Sequence, residues 1–338
     1  MGSHRRLAPS GFDRGALCVL SATAAALGAV ATAVPAATAA PHEDTRTEVD
    51  RLYEAAEKAT EAFNEAGERA GTLRRLVGDS QDRIARTQER VNGLREQLGS
   101  LAGAQYRSGG LDPSLALLFS DDPADYLDKA SVLDRITTHQ AGELKDLQGA
   151  LRELAQERTE ATRRLGDLEK SREAVEKHKR TVEQKLARAR QLLNSLPSAE
   201  RAAYERASRS GRSDLPGPEG APASGRAGAA LAAARSVLGR PYVWGANGPT
   251  GFDCSGLMQW SYAQAGVGLP RTSQAQAHAG RRVPLSQARP GDIVTYRSDA
   301  SHVGMYAGNG QVIHAPYPGA PVRYDPVGMM PVSSVTRP

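Results

Sequence analysis

The chain is predicted to be α+β, with a long antiparallel helical coiled-coil hairpin ahead of a small mixed domain. Three features predict it. Residues 43–196 are rich in Glu, Arg, Ala and Leu, and their only prolines are Pro113 and Pro123. A stretch rich in Pro, Gly and Ser then runs from Pro197 to about Arg226. Beyond it, amphipathic helical runs give way to short segments of strand-like composition, and helices followed by strands indicate an α+β domain.

The first segment is read as a leader. Arg5, Arg6 and Arg14 precede an Ala-dominated apolar run from Ala16 to Val34, and Ala37-Thr38-Ala39 offers small residues for cleavage. That layout predicts a secretory signal peptide over 1–39, which is set aside from the fold. An uncleaved anchor is the alternative, because the run approaches membrane-spanning length. Cleavage removes Cys18 and leaves Cys254 as the single cysteine of an exported protein. No internal disulfide is then available, so the thiol is either functional or poised for intermolecular pairing.

The hairpin is expected over 40–196. From Leu144 a heptad runs without a slip, with Leu144, Leu151, Leu165, Leu186 and Leu193 at one core position, interrupted by Arg158, Arg172 and Lys179. The other position carries Leu147, Leu154, Ala161, Leu168, Val175, Val182, Ala189 and Leu196. A repeat sustained this long indicates a coiled coil rather than an ordinary surface helix. The earlier arm repeats it with Val77, Ile84, Val91 and Leu98 at one position and Leu73, Leu94 and Leu101 at the other, diluted by Ser80 and Thr87. Between the arms, Ser108-Gly109-Gly110 with Pro113 stops the first helix, Leu115 to Phe119 reads as a short apolar helix, and Asp121-Asp122-Pro123 starts the second.

Residues 197–226 are expected to be a flexible linker, too poor in apolar residues to fold. The remainder, 227–338, suffices for one domain. Its predicted elements are a helix from Ala227 to Leu238, a helix starting at Cys254, a short polar segment from Thr272 to Ala277, and strands at Asp292–Tyr296, His302–Ala307, Gln311–Ala315 and Val322–Tyr324. From Arg226 onward there are ten Arg, no Lys, no Glu and four Asp, a net charge of +6. Residues 1–39 hold three Arg and one Asp of the chain's +5, so 40–225 is left with −3. A basic domain outside the membrane suits anionic cell-wall polymers or lipid headgroups. Nucleic acid is excluded as a partner, because no recognition motif for it occurs.

Cys254 stands in Gly251-Phe252-Asp253-Cys254-Ser255-Gly256, at the first turn of an amphipathic run. There the helix dipole and unpaired N–H groups are expected to favour the thiolate. His302 and His314 follow, and together the three residues suggest a nucleophile, a base and an orienter. Spacings of forty-eight and twelve residues do not fit the close ligand pairs of structural zinc sites, so neither metal nor cofactor is expected. His278 fits no motif and is expected to be structural or exposed.

Five further stretches give these residues a family resemblance. Pro241-Tyr242-Val243-Trp244-Gly245, Phe252-Asp253-Cys254-Ser255-Gly256-Leu257, Leu269-Pro270-Arg271-Thr272-Ser273, Pro290-Gly291-Asp292 and Ser301-His302-Val303-Gly304-Met305-Tyr306 resemble, in order and spacing, the motifs of the NlpC family. These are papain-like peptidases of bacterial cell walls. The resemblance implies a papain-like fold and a D,L-endopeptidase that cuts peptidoglycan stem peptides between D-glutamate, or D-isoglutamine, and the diamino acid. It makes Cys254 the nucleophile, His302 the base and His314 the polar third member. Tyr242 matches a tyrosine beside the thiol that assists the oxyanion, and Asp253, Arg271 and Ser273 match positions near the substrate pocket. The arms resemble the coiled coils of Rip-type, PcsB and CwlO exported hydrolases, with Gln105-Tyr106-Arg107-Ser108-Gly109-Gly110, Leu118-Phe119-Ser120 and Asp125-Tyr126-Leu127 at the tip. That implies a membrane regulator of the FtsEX type at the tip. Two other classes stay open: an amidase or acyltransferase with the same chemistry, and a non-catalytic wall-binding scaffold.

Two expectations concern geometry. For His302 and His314 to share a sheet face, the strands carrying them must pair residues whose numbers sum to an even value, since side chains alternate. The expected connection is the three-residue loop Gly308-Asn309-Gly310, or an equivalent bulge. The −3 arms, tethered beside the +6 domain, are expected to shield the Cys254 cleft, with apolar contacts supplying most of the affinity.

Overall fold

The structure is a computed structural model that describes residues 40–107, 123–209 and 221–338. The expected leader, the Leu115–Phe119 segment at the hairpin tip and residues 210–220 of the Pro/Gly-rich stretch lie outside the described residues. Two long helices, α1 (Ala40–Arg107) and α2 (Pro123–Ser195), form the hairpin. Val49, Leu52 and Ala56 pack with Val182, Leu186 and Ala189. Farther along, Ala70 and Val77 meet Leu168, and Val91 meets Ala150 and Leu154. Partners ascend on α1 as they descend on α2, so the pair is antiparallel.

The two heptad positions of α2 are not equivalent. Leu154, Ala161, Leu168, Val182, Ala189 and Leu196 are buried, whereas Leu144 and Leu165 are 50% and 48% exposed. Near the domain the second stripe is covered too, since Leu186 is buried, but farther along one partner helix covers a single stripe and the positions around Arg158, Arg172 and Lys179 are left to solvent. On α1, Ser80 and Thr87 are buried in the seam they were expected to dilute. Ser80 Oγ donates to the Leu76 carbonyl at 2.8 Å, which satisfies it locally.

The segment expected to be a linker opens instead with helix α3 (Ser198–Arg209). Its Ala- and Arg-rich sequence is helix-forming, and Tyr204 ties it to the hairpin base by donating to Asp50 Oδ1 at 3.3 Å. Next come α4 (Gly225–Ser236), α5 (Cys254–Gln264) and α6 (Ser273–Gln276). Each begins at a side-chain cap: Ser224, Asp253 and Thr272 accept from the backbone N–H groups of Ala227, Gly256 and Ala275.

A six-stranded antiparallel sheet completes the domain: β1 (Arg281–Val283), β2 (Ile293–Tyr296), β3 (His302–Gly308), β4 (Gln311–His314), β5 (Arg323–Pro326) and β6 (Val332–Arg337). The order is β1-β6-β2-β3-β4-β5. Leu231 of α4 and Leu257, Met258 and Tyr262 of α5 pack on Ile293, Val303, Met305 and Ile313, forming the core.

The β3–β4 connection is not the three-residue loop. Gly308 pairs with Gln311 across a two-residue Asn309-Gly310 turn, and both turn residues have positive φ. That is the backbone a tight hairpin needs. Between Tyr306 and Gly308 the register shifts, so that Tyr306 faces Val312 and Met305 faces Ile313. Ala307 is the extra residue of a β-bulge, and the bulge restores even parity. His302 and His314 therefore share a face.

Candidate active site

Cys254 is the first residue of α5, held there because Asp253 caps the helix. Asp253 is fully buried and saturated: Oδ1 accepts from Gly256 N at 2.6 Å and Arg271 Nη1 at 2.9 Å, and Oδ2 from Arg271 Nη2 at 2.5 Å and Gly245 N at 3.0 Å. Asp253 and Arg271, expected beside the substrate pocket, thus form a buried bidentate ion pair that fixes the start of α5. Such a pair holds geometry firmly, because removing one partner leaves an uncompensated charge. Tyr242 is buried close enough for the Cys254 thiol to be among the groups that, after burial itself, push its phenol pKa well up. Ser273 donates its hydroxyl to the Ala300 carbonyl at 2.6 Å. His278 is exposed.

The histidines form a chain. His302 Nε2 lies 2.8 Å from His314 Nδ1, with the rings near perpendicular at 88°. His314 Nε2 lies 2.8 Å from Asp325 Oδ2, which also accepts from Arg323 Nε at 2.7 Å. Both rings are buried. Burial lowers the His314 pKa to about 4 despite Asp325, so this ring is neutral at ordinary pH. Asp325 is held ionised: burial raises its pKa, but His314 and Arg323 outweigh that. Val303, next to His302, donates its backbone N–H to the Cys254 sulfur, so β3 abuts the thiol.

Helix α1 enters this cleft. Glu57 Oε1 is 2.9 Å from His302 Nδ1, and its Oε2 accepts from Arg297 at 2.7 Å. One turn on, Glu61 Oε1 accepts from Ser255 Oγ at 2.7 Å and from the Cys254 thiol at 3.7 Å, while Oε2 accepts from Ser273 N at 2.8 Å. After another turn Asn64 donates to Asp253 Oδ2 at 3.2 Å. Residues three and four apart share a helix face, so these three side chains project together. Phe63 sits edge-on to Trp244 at 5.2 Å, and a Cβ on Gly245 would approach its ring to 3.2 Å. Tyr53 stacks on Tyr317 at 5.2 Å. The contact therefore combines aromatic packing with buried carboxylates.

The thiol differs from expectation. Burial, then the charges of Glu61, Glu57 and Asp253, push the Cys254 pKa well above its ordinary value, against a lowering by Val303 N–H. A helix N-terminus is worth about 0.3–1 kcal/mol at an exposed site, too little to offset desolvation and three nearby carboxylates. With α1 in place the sulfur is a thiol. Glu57, Glu61 and Asn64 were not recognised from the sequence, although their spacing places three polar groups on a helix face that also holds Ala56 and Thr60. Arg297, Arg323 and Asp325 carried no motif.

A papain-like α+β domain in which a helix-start cysteine abuts the strand that carries one of two paired histidines defines the class. Residues 239–335 match the NlpC/P60 family, and the chain carries a domain of that family. A probable endopeptidase of Corynebacterium glutamicum is 48% identical over 124 residues, 37% of this chain and 59% of that one. The probable endopeptidase p60 of Listeria monocytogenes is 53% identical over 97 residues, 28% of this chain and 20% of that one. Among solved structures, the P60 domain of an antigen from M. avium subspecies paratuberculosis is 38% identical, covers 33% of this chain and 93% of its own, and has a TM-score of 0.32. This chain thus spans less than two thirds of these curated relatives, and the hairpin lies outside the residues that match the family, 239–335.

Proposed function

We propose that the protein is a secreted, wall-associated peptidoglycan endopeptidase that cuts stem peptides between D-glutamate, or D-isoglutamine, and the diamino acid. The observation that carries this reading is the Cys254, His302 and His314 constellation within an NlpC/P60 domain whose relatives are named probable endopeptidases. With α1 withdrawn, His302 Nδ1 takes the Cys254 proton and the thiolate attacks the amide carbonyl. The Cys254 backbone N–H and the Tyr242 hydroxyl are the oxyanion donors. The amide C–N bond breaks as His302 returns the proton to the leaving amine, and water then hydrolyses the thioester.

The same reading makes α1 the restraint. Glu57 occupies the base's free nitrogen and Glu61 the position beside the nucleophile, so substrate and helix compete for one cleft. A membrane partner of the FtsEX type, acting at the hairpin tip, is the proposed source of release. Mass analysis of products from purified wall fragments tests the reaction, with the wild-type chain, the Glu57→Ala/Glu61→Ala chain and Cys254→Ala compared. New D-glutamyl carboxyl ends that depend on Cys254 are expected. Cleavage at the N-acetylmuramoyl–L-alanine bond would instead identify an amidase, and no cleavage by either active chain would leave a scaffold.

A further inference from the structure

We propose that Asp325 is a positioning residue that sets the direction of the hydrogen bonds in the histidine pair and so makes His302 Nδ1 the basic nitrogen. The inference rests on the endopeptidase reading for its consequence, though the geometry behind it does not.

The argument is a proton count. His302 Nε2 to His314 Nδ1 and His314 Nε2 to Asp325 Oδ2 are each 2.8 Å, so each contact holds one hydrogen. An ionised carboxylate only accepts. His314 must therefore carry its hydrogen on Nε2. Burial keeps that ring neutral, so its Nδ1 is a bare acceptor. His302 must then donate from Nε2, and when neutral it has its lone pair on Nδ1. That is the nitrogen Glu57 now covers. Without Asp325, the opposite arrangement, with His314 Nδ1–H donating to His302 Nε2, becomes available and leaves His302 with a donor where a base is required.

The strand geometry supports a dedicated role. His314 pairs with Arg323, and Val312 with Asp325, across β4 and β5. Residues two apart share a face, so Arg323 and Asp325 both lie on the His314 side of the sheet. Arg323 Nε bonds the same oxygen that His314 uses, fixing the carboxylate in place. With Glu57 also present, three contacts in series require three hydrogens on two rings, one more than two neutral imidazoles carry. In the covered site His302 holds hydrogens on both nitrogens and has no lone pair for the thiol proton.

The test uses the full Glu57→Ala/Glu61→Ala chain, in which His302 Nδ1 is uncovered, either wild type or substituted at position 325, with nitrogen-15 histidine, and reads tautomers from long-range proton–nitrogen correlation spectra. Wild type is expected to show His314 protonated on Nε2 only. Asp325→Asn, whose side-chain oxygen still accepts, should keep that pattern, and Asp325→Ala should lose it. Stem-peptide hydrolysis should fall roughly 10–100-fold in kcat for Asp325→Ala with KM little changed, and recover substantially in Asp325→Asn. A wild-type His314 protonated on Nδ1, or an Asp325→Ala chain with unchanged tautomer and kcat, overturns the proposal. Equal loss in both variants, with a lowered melting temperature and no tautomer change, also overturns it in favour of simple support of β5. If wild type cuts no stem peptide the endopeptidase reading fails, while the spectra still decide the role of Asp325.

Discussion

Glu57 Oε1 lies 2.9 Å from His302 Nδ1 although 245 residues separate them, so the hairpin reaches the nitrogen that a cysteine–histidine mechanism requires to be free. Glu57 is itself stabilised there: burial pushes its carboxyl pKa up, but His302 and Arg297 outweigh that and hold it below the ordinary value. The contact is a matched charge cluster rather than an incidental touch.

Removing the two carboxylates should release activity. Hydrogen bonds to charged groups contribute about 1.5–3 kcal/mol each, and every 1.4 kcal/mol is tenfold in an equilibrium. The Glu57→Ala/Glu61→Ala chain is expected to hydrolyse wall fragments at least about tenfold faster than wild type at equal concentration. An unchanged rate would mean that α1 does not restrain the site, leaving the hairpin as a spacer or localisation device.

Cys254→Ala should abolish hydrolysis, a loss of at least about 10⁴-fold, because no neighbouring group supplies the covalent route. Its circular dichroism should match wild type, since the substitution removes only one buried sulfur. Residual activity in the purified variant would reject the nucleophile assignment.

The two histidines should respond differently. His302→Ala removes the base and should be nearly inactive, whereas His314→Gln can still accept from His302 through its carbonyl and donate toward Asp325. A loss of about 10–100-fold is expected for the latter, typical of an orienting group. Equal tolerance at both positions would contradict the roles.

The covering of the site should depend on pH through Glu61. Its carboxyl pKa is pushed from 4.5 to about 7 by burial first and then by Asp253, against the hydrogen bonds of Ser255 and Ser273 and the charge of Arg271; the Cys254 thiol also donates to it. A raised carboxyl pKa in the covered state means that covering binds a proton. That state is favoured at the acid end of the 4.5–7 window and loses this advantage as pH rises through about 7. Acrylamide quenching of Trp244, in a chain with Trp260→Phe, should increase from pH 5 to pH 7.5. Glu61→Gln should remove the increase. Quenching that is flat with pH in the Glu61 chain would sink the idea.

The parts legible in the sequence are those whose cause is local. Leu147, Leu154 and Leu168 recur at heptad spacing because a helix repeats its faces, so the hairpin could be read without its partner helix. Asp253-Cys254-Ser255 declares a capped helix start within a few residues, and His302 and His314 stand in short motifs. Even the need for a bulge followed from strand alternation, although its place at Ala307 did not, because a turn and a bulge satisfy the same parity. Tertiary structure alone decided how far along the hairpin each heptad stripe is covered, since that depends on what packs against it. It also brought Glu57 and Glu61 to His302 and Cys254, and Asp325 to His314. Carboxylates on helices and strands usually belong to solvent, and only the desolvation of these three, matched by partners that the fold brings against them, turns them into parts of the site.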